Sequence, residues 1–162
     1  MADAVCNTSP MQYLHEVGLL MIIPSLVGQV LIPPAVDAEL AVGRSLGLDL
    51  PDPAHMDWVT IRSPSRSPSI SFSPGLGAGE AEVLTLALEC GDAIVILDDA
   101  MARQAAHSLG LPLTGTLGLL LDAKRAGLIT RIEPVLDTLQ SLRFRLARQT
   151  RALVLGLAAE SP

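Results

Sequence analysis

Seventeen side chains of this 162-residue chain carry a carboxylate, and a few of them fall where an apolar or strand-end residue belongs. A helix turns by about 100° per residue, so each acid on a helix can be assigned to a face. On the helix expected from Gly79 to Cys90, Val83, Leu84, Leu86, Ala87, Leu88 and Cys90 gather around the direction of Glu80. Glu82, Thr85 and Glu89 point the opposite way and are expected to be solvated. On Pro34–Leu46, Val36, Leu40, Val42, Gly43 and Leu46 define an apolar arc that contains Glu39, while Asp37 falls beside Arg44 on the wet side. One acid per helix is therefore aimed inward, a costly place for an unpaired charge. A cap or dipole partner is the competing role, strongest for Glu80 at its helix start.

Asp98 and Asp99 follow the most apolar run of the chain, Ala93–Leu97, and Asn7 follows Ala4–Cys6 in the same way. One of the aspartates is expected to cap the next helix, leaving the other free. In an open parallel sheet, ligands bind beyond the carboxyl ends of the strands. If these two strands are neighbours, Asn7, Glu39, Glu80 and Asp98 converge on one pocket, with Asp99 the alternative to Asp98. Such hard oxygen donors suit Mg2+ or Mn2+, and an ion would relieve the repulsion that otherwise raises carboxylate pKa values.

The elements that must position these groups alternate short β-like runs with longer helical ones, the pattern of an α/β domain with a parallel sheet. Strands are expected at Ala4–Cys6, Gln29–Ile32, Trp58–Arg62 and Ala93–Leu97, with a short one near Leu113. Helices are expected from about Pro10, Pro34, Gly79, Asp99 and Thr116. The Ser/Pro-rich stretch Arg62–Gly75 reads as a surface loop. Val17–Val36 has no charge over a membrane-spanning length, but Pro24, Pro33 and Pro34 break it, so no membrane anchor is expected. Cys6 and Cys90 in apolar company, with an acid near the start, point to reduced thiols and a cytoplasmic setting.

Half the chain is hydrophobic (49%) and only 17% is charged, which excludes a disordered chain. The net charge of −6 argues against non-specific coating of a phosphate backbone. That charge is unevenly divided: residues 1–121 hold thirteen acids and four basic residues, residues 122–162 four acids and seven basic ones. Arg143, Arg145, Arg148 and Arg151 dominate the tail, either as a solvated helix face or as phosphate contacts. With only Tyr13, Trp58, Phe72 and Phe144 as aromatics, a base-stacking platform is not expected, and any nucleic acid bound would have to be held through phosphate and metal contacts. Other motifs are weak. Gly75–Gly79 imitates a dinucleotide fingerprint but follows a loop instead of a strand, and the three histidines lack ligand spacing.

Asn7-Thr-Ser-Pro10, the Leu-Gly-Ala-Gly-Glu run ending at Glu80, Ile-Leu-Asp-Asp at 96–99 with Ala102-Arg103, and Gly-Thr-Leu-Gly-Leu-Leu at 115–120 together resemble the PIN-domain family. The closest likeness is to a little-characterised prokaryotic branch akin to VapC-type toxins, with an NTSP start. The resemblance runs from Val5 to about Phe144. It implies a three-layer α/β/α domain with a central parallel sheet of four or five strands over residues 1–142. Residues 143–162 then form a basic tail or a helix packed on that domain or on a partner. It further implies a Mg2+- or Mn2+-dependent ribonuclease, the toxin of a toxin–antitoxin pair, with RNA, a small antitoxin protein and a second copy of the chain as partners.

Carried over, Asn7, Glu39, Glu80 and Asp98 match the four acidic positions of the family, with Glu39, Glu80 and Asp98 or Asp99 as metal ligands. Thr8, Ser9, Arg103, Arg143, Arg145 and Arg148 would contact the nucleic acid. The chain departs from the family at the first position, where the usual acid is replaced by Asn7. The loss of that charge supports an alternative, a catalytically weak or inactive PIN-like regulator that binds RNA or protein.

Overall fold

A computed structural model describes residues 4–67 and 75–160. Five short parallel strands form one sheet: β1 (Ala4–Cys6), β2 (Val30–Ile32), β3 (Val59–Ile61), β4 (Ile94–Ile96) and β5 (Leu113–Thr114). Their order is β3-β2-β1-β4-β5, so β1 lies at the centre and pairs with β2 on one side and β4 on the other. Around them stand α1 (Thr8–Glu16), α2 (Ile22–Val27), α3 (Pro34–Ser45), α4 (Ala78–Cys90), α5 (Ala100–Ser108), α6 (Thr116–Arg125), α7 (Glu133–Ser141) and α8 (Arg148–Leu157). The helices flank the sheet in a three-layer α/β/α arrangement, as the alternation of elements requires. One helical group is α3, α4 and α5, with α4 lying against β1 and β4; the other gathers α1, α2 and α8 on α6.

The inner strands are apolar without alternation because both faces are covered: Ala4, Val5, Cys6, Val30, Ile32, Val95 and Ile96 are all buried. β3, at the sheet edge, is half-buried to exposed. The strands are shorter than the apolar runs that announce them, since hydrogen-bonded pairing ends before burial does: Ala93 and Leu97 are buried yet lie outside β4. α1 begins at Thr8, two residues before the expected Pro10, because a proline within the first turn forfeits no intrahelical bond. No described helix is long and apolar enough to cross a membrane, and the uncharged Val17–Val36 stretch divides into α2, β2 and the start of α3. The expected Arg62–Gly75 loop is irregular at residues 62–67; residues 68–74 of it lie outside the described part.

Two helix faces differ from expectation. On α3 the buried side is Val36, Leu40 and Gly43, whereas Val42 and Leu46 are 58% and 74% exposed. The chain after α3 doubles back and sets Leu50 on Gly43, where a Cβ would meet Leu50 Cδ1 at 2.2 Å. Arg44 accordingly turns to the Pro51 carbonyl (2.7 Å) and Asp52 (3.6 Å), not to Asp37. On α4, Val83–Ala87 is buried without a break, so Thr85 is inside and Leu88 outside. Glu82 and Glu89 are not free solvated acids. Glu82 accepts the Ala35 amide (2.9 Å) and ties α4 to the start of α3, where a carboxylate also favours the helix dipole. Glu89 accepts the amides of Ser65 (2.9 Å) and Arg66 (3.0 Å).

Several helices close with the same two hydrogen bonds, and the residue in the left-handed turn is glycine at positions 18, 47, 110 and 127. α7 and α8 close this way on Arg143 (φ 69°) and Ala159 (φ 58°) instead. At α7 the Phe144 amide reaches Leu139 O (3.0 Å) and the Arg143 amide reaches Gln140 O (3.1 Å). At α8 the Glu160 amide reaches Leu155 O (2.8 Å) and the Ala159 amide reaches Gly156 O (3.1 Å). Each turn delivers the next side chain to a chosen place.

Glu160 is delivered beneath the first turn of α7. Its carboxylate, only 6% exposed, accepts Lys124 Nζ (2.8 Å) and the amides of Ile132 (2.8 Å) and Glu133 (3.1 Å). Burial pushes its pKa up, but these bonds outweigh burial and hold the carboxyl at about 2. The clamp thus joins α6, α7 and the end of α8. Because the folded pKa is depressed, its stabilisation is full above the ordinary value of 4.5 and drains away as pH falls from about 4.5 toward 2. Glu160→Gln should cost roughly 1–3 kcal/mol at neutral pH and remove that part of the acid sensitivity, read by urea denaturation at stepped pH.

Candidate functional site

In the sheet order, chain connections depart in opposite directions from β1 and β4, which makes the gap beyond their carboxyl ends the switch point of the sheet. Cys6 lies opposite Ile96, so Asn7 and Asp98 emerge beside each other at that gap. Asn7 is 3% exposed and bonded through its amide to Ile96 O (3.0 Å). Its side-chain Nδ2 donates to Glu80 Oε1 at 3.4 Å, while its Oδ1 is buried without a partner. A buried acceptor left unpaired is uncommon and marks a place where a ligand can bind.

Glu80 reaches Asn7 from the first turn of α4, and its other oxygen folds back over Gly77. The helix start comes this close because Gly79 has no side chain. A Cβ there would stand 2.6 Å from Glu39 Oε1 and 3.3 Å from Asn7 Oδ1. Glu39 therefore does reach the site, but from an exposed position on α3, not from within the core. Its second oxygen accepts the hydroxyl of Thr8.

Asp98 sits in a tighter mount. Its Oδ1 accepts the Thr116 amide (2.8 Å) and its Oδ2 the Thr116 hydroxyl (2.6 Å). A Cβ on Gly115 would lie 2.8 Å from both Asp98 Oδ1 and Leu97 O, so only glycine lets α6 start against this carboxylate. Arg103 Nη1 braces the same strand end through Leu97 O (2.7 Å). Burial pushes the Asp98 pKa above the ordinary value, and the Thr116 bonds and the Arg103 charge pull it back without cancelling the rise. Beneath, burial and then the Asp98 charge push the Cys6 thiol up, so it is inert as a nucleophile. Asp99 takes the capping role, its Oδ2 accepting the Ala102 amide at 2.9 Å.

Glu80, Asp98 and Asp99 form the acidic wall of a cavity of about 270 Å3, and Ser9 also lines it. Tyr13, Arg143, Phe144 and Arg145 complete its lining. Asp98, Phe144 and Arg145 border a second cavity of about 250 Å3, which Arg103 and Thr150 complete. Of the sequence-predicted contacts, Thr8 is bonded to Glu39, Ser9, Arg143 and Arg145 line the first cavity, Arg103 and Arg145 the second, and Arg148 lies exposed at the start of α8. Few as the aromatics are, two of the four rings, Tyr13 and Phe144, meet edge to face (5.0 Å, 89°) in the cavity lining. Composition could not show it, because a scarce residue type can still be concentrated in space. Thr116 was also missed as a partner of Asp98, although its Gly-Thr pair at a helix start was visible.

Among the described residues, no three His, Cys, Asp or Glu side chains stand together as a ready metal cage. The donors nevertheless suit a hard divalent cation. Asn7 Oδ1 is an orphaned oxygen, Glu80 and Asp98 share one cavity, and Mg2+ commonly takes one or two carboxylates and keeps several waters. A family model described as a PIN domain matches residues 3–160 of the chain. No curated protein matches it. Replacing Thr116 with Val should raise the Asp98 pKa further, since one of the bonds to the charged form is lost. A carboxyl carbon NMR titration of Asp98 reads the shift, and an unmoved midpoint would show that burial alone governs this group.

Proposed function

The chain belongs to the PIN-domain family, and on that premise we propose that it is a metal-dependent ribonuclease that hydrolyses RNA phosphodiester bonds. The observation that carries the reading is the meeting of Asn7, Glu80 and Asp98 at the switch point, with the unpartnered Asn7 Oδ1 among them. Asn7, Glu80 and Asp98 would hold Mg2+ or Mn2+, with Glu39 beside Asn7 across Gly79 and Asp99 on the cavity rim. Such an ion supplies a nucleophilic hydroxide near neutral pH and offsets the charge that builds on phosphate oxygens.

The chain's own residues do the positioning. Thr116 fixes both oxygens of Asp98, leaving each with a lone pair directed elsewhere. Asn7 Nδ2 orients Glu80, and Thr8 orients Glu39. Ser9, Arg103, Arg143 and Arg145 border the space a phosphate would occupy, and their three positive charges oppose the self-repulsion of an anion beside carboxylates. A role as toxin, with a small antitoxin and a second copy as partners, rests on the motif resemblance alone.

A second reading has its own observation. With an amide at position 7, and no ready cage of three acids among the described residues, the same surface could bind RNA without cutting it. Asn7→Asp separates the two, since it restores a charge next to Glu80.

RNA should be cut with Mn2+ or Mg2+, and the cleavage should vanish with EDTA. Asp98→Asn should lower it by at least about 100-fold, the scale of losing a group that stabilises transition-state charge. Gel assays of a structured RNA read both. Absence of cleavage with either ion, or an Asp98→Asn variant as fast as the parent, overturns the nuclease reading. A large gain with Asn7→Asp would show a native site short of charge for its metal.

A further inference from the structure

Arg143 and Arg145 are separated in sequence from Glu80, Asp98 and Asp99 by more than forty residues, yet they line the same cavity. The turn that brings them there is held by an arginine in the left-handed region at Arg143 (φ 69°), where most other helices of this chain that end in the same turn use glycine. A non-glycine residue in that region is disfavoured by roughly 1 kcal/mol. The turn puts Phe144 against Tyr13, edge to face at 5.0 Å, with an arginine on either side of it in sequence. Among the described residues neither Arg143 nor Arg145 is paired with a carboxylate, in contrast to Arg151, which holds Asp137 at 2.7 Å. Phe144 and Arg145 also border the second cavity, and Asp98 borders both, so the two cavities adjoin the same three side chains.

We propose that the Arg143-Phe144-Arg145 turn, backed by Tyr13, is a binding platform for single-stranded RNA. One base stacks on the aromatic pair next to Asp98, and the two guanidiniums take the flanking phosphates. Cationic and aromatic groups in alternation match the alternation of phosphate and base along a strand. A duplex keeps its base faces stacked and unavailable, so the platform selects unpaired segments. The two cavities that share Asp98, Phe144 and Arg145 give room for the nucleotides next to the one that stacks. This deepens the nuclease reading and rests on it for what happens at the acidic wall. The binding itself needs no metal.

The test is fluorescence anisotropy with a short fluorescein-labelled single-stranded RNA in EDTA, where nothing is cut. Phe144→Leu should weaken binding by about 10-fold, the scale of one lost base–aromatic stack, and Phe144→Tyr should restore it. Removing one base from the RNA should cost the parent protein the same factor at one position and cost Phe144→Leu nothing there. Arg143→Gly should leave the melting temperature unchanged or higher, because it relieves the left-handed turn, while weakening binding and lowering the salt slope by about one. Undiminished binding by Phe144→Leu, equal losses for base-free and intact RNA, or no RNA binding by the parent overturns the proposal. RNA binding that depends on Phe144 without cleavage in Mn2+ sustains the platform and sinks the nuclease. Cleavage that ignores Phe144 does the reverse.

Discussion

The pairing of β1 with β4 is the contact on which the rest of the site depends. Neither strand carries a catalytic group of its own; both are short and apolar, β1 fully buried and β4 buried at Val95 and Ile96. Their register sets Asn7 beside the residues that follow Ile96, and parallel direction makes both polar groups leave at the same end. Everything polar then has to be accommodated at a gap floored by core. Gly79 and Gly115 do this by removing bulk where two helix starts must approach carboxylates more closely than a Cβ permits. Thr116 supplies the bonds that a buried Asp98 carboxylate needs if it is to remain charged.

Charge is divided along the chain and reunited in space. The first 121 residues carry a large acidic excess and the last 41 a basic one. In the folded chain, the turn after α7 folds the basic segment onto the acidic cavity, and Glu160 secures the following helix to α6 and α7. Both connections run through left-handed turns on residues other than glycine. The strain is tolerated because the residue after each turn is embedded, Phe144 on Tyr13 and Glu160 among Lys124 and two amides. The acidic total of the chain therefore says little about its affinity for a polyanion; the local grouping of arginines opposite a cavity says more.

Helical angle picked out Glu80 and Glu39 and strand ends picked out Asp98, but Glu39 was ranked for the wrong reason. The arc on α3 assumed that Val42 and Leu46 face the core, whereas the following segment packs on Gly43 and turns the helix so that they face solvent. Glu39 bonds Thr8 from the rim and lies across Gly79 from Asn7. The same assumption made Glu82 look idle, although it caps a neighbouring helix. A periodicity reports which residues share a face, not which partner covers it.

Local sequence was enough to determine the alternation of strands and helices, an apolar inner strand at β4, the proline-initiated α3 and a cap at one of Asp98 and Asp99, since each rests on backbone sterics or burial within a few residues. It also placed the oxygen donors at element ends. That β1 is the centre and Asp99 the cap came from the fold. What only the tertiary structure decided is which of them meet, the orphaned oxygen of Asn7, the mount of Asp98 on Thr116, and the arrival of Tyr13 and Phe144 at the same wall. Those depend on strand order, register and close approach between segments far apart in the chain, and no window of sequence contains the distances that set them.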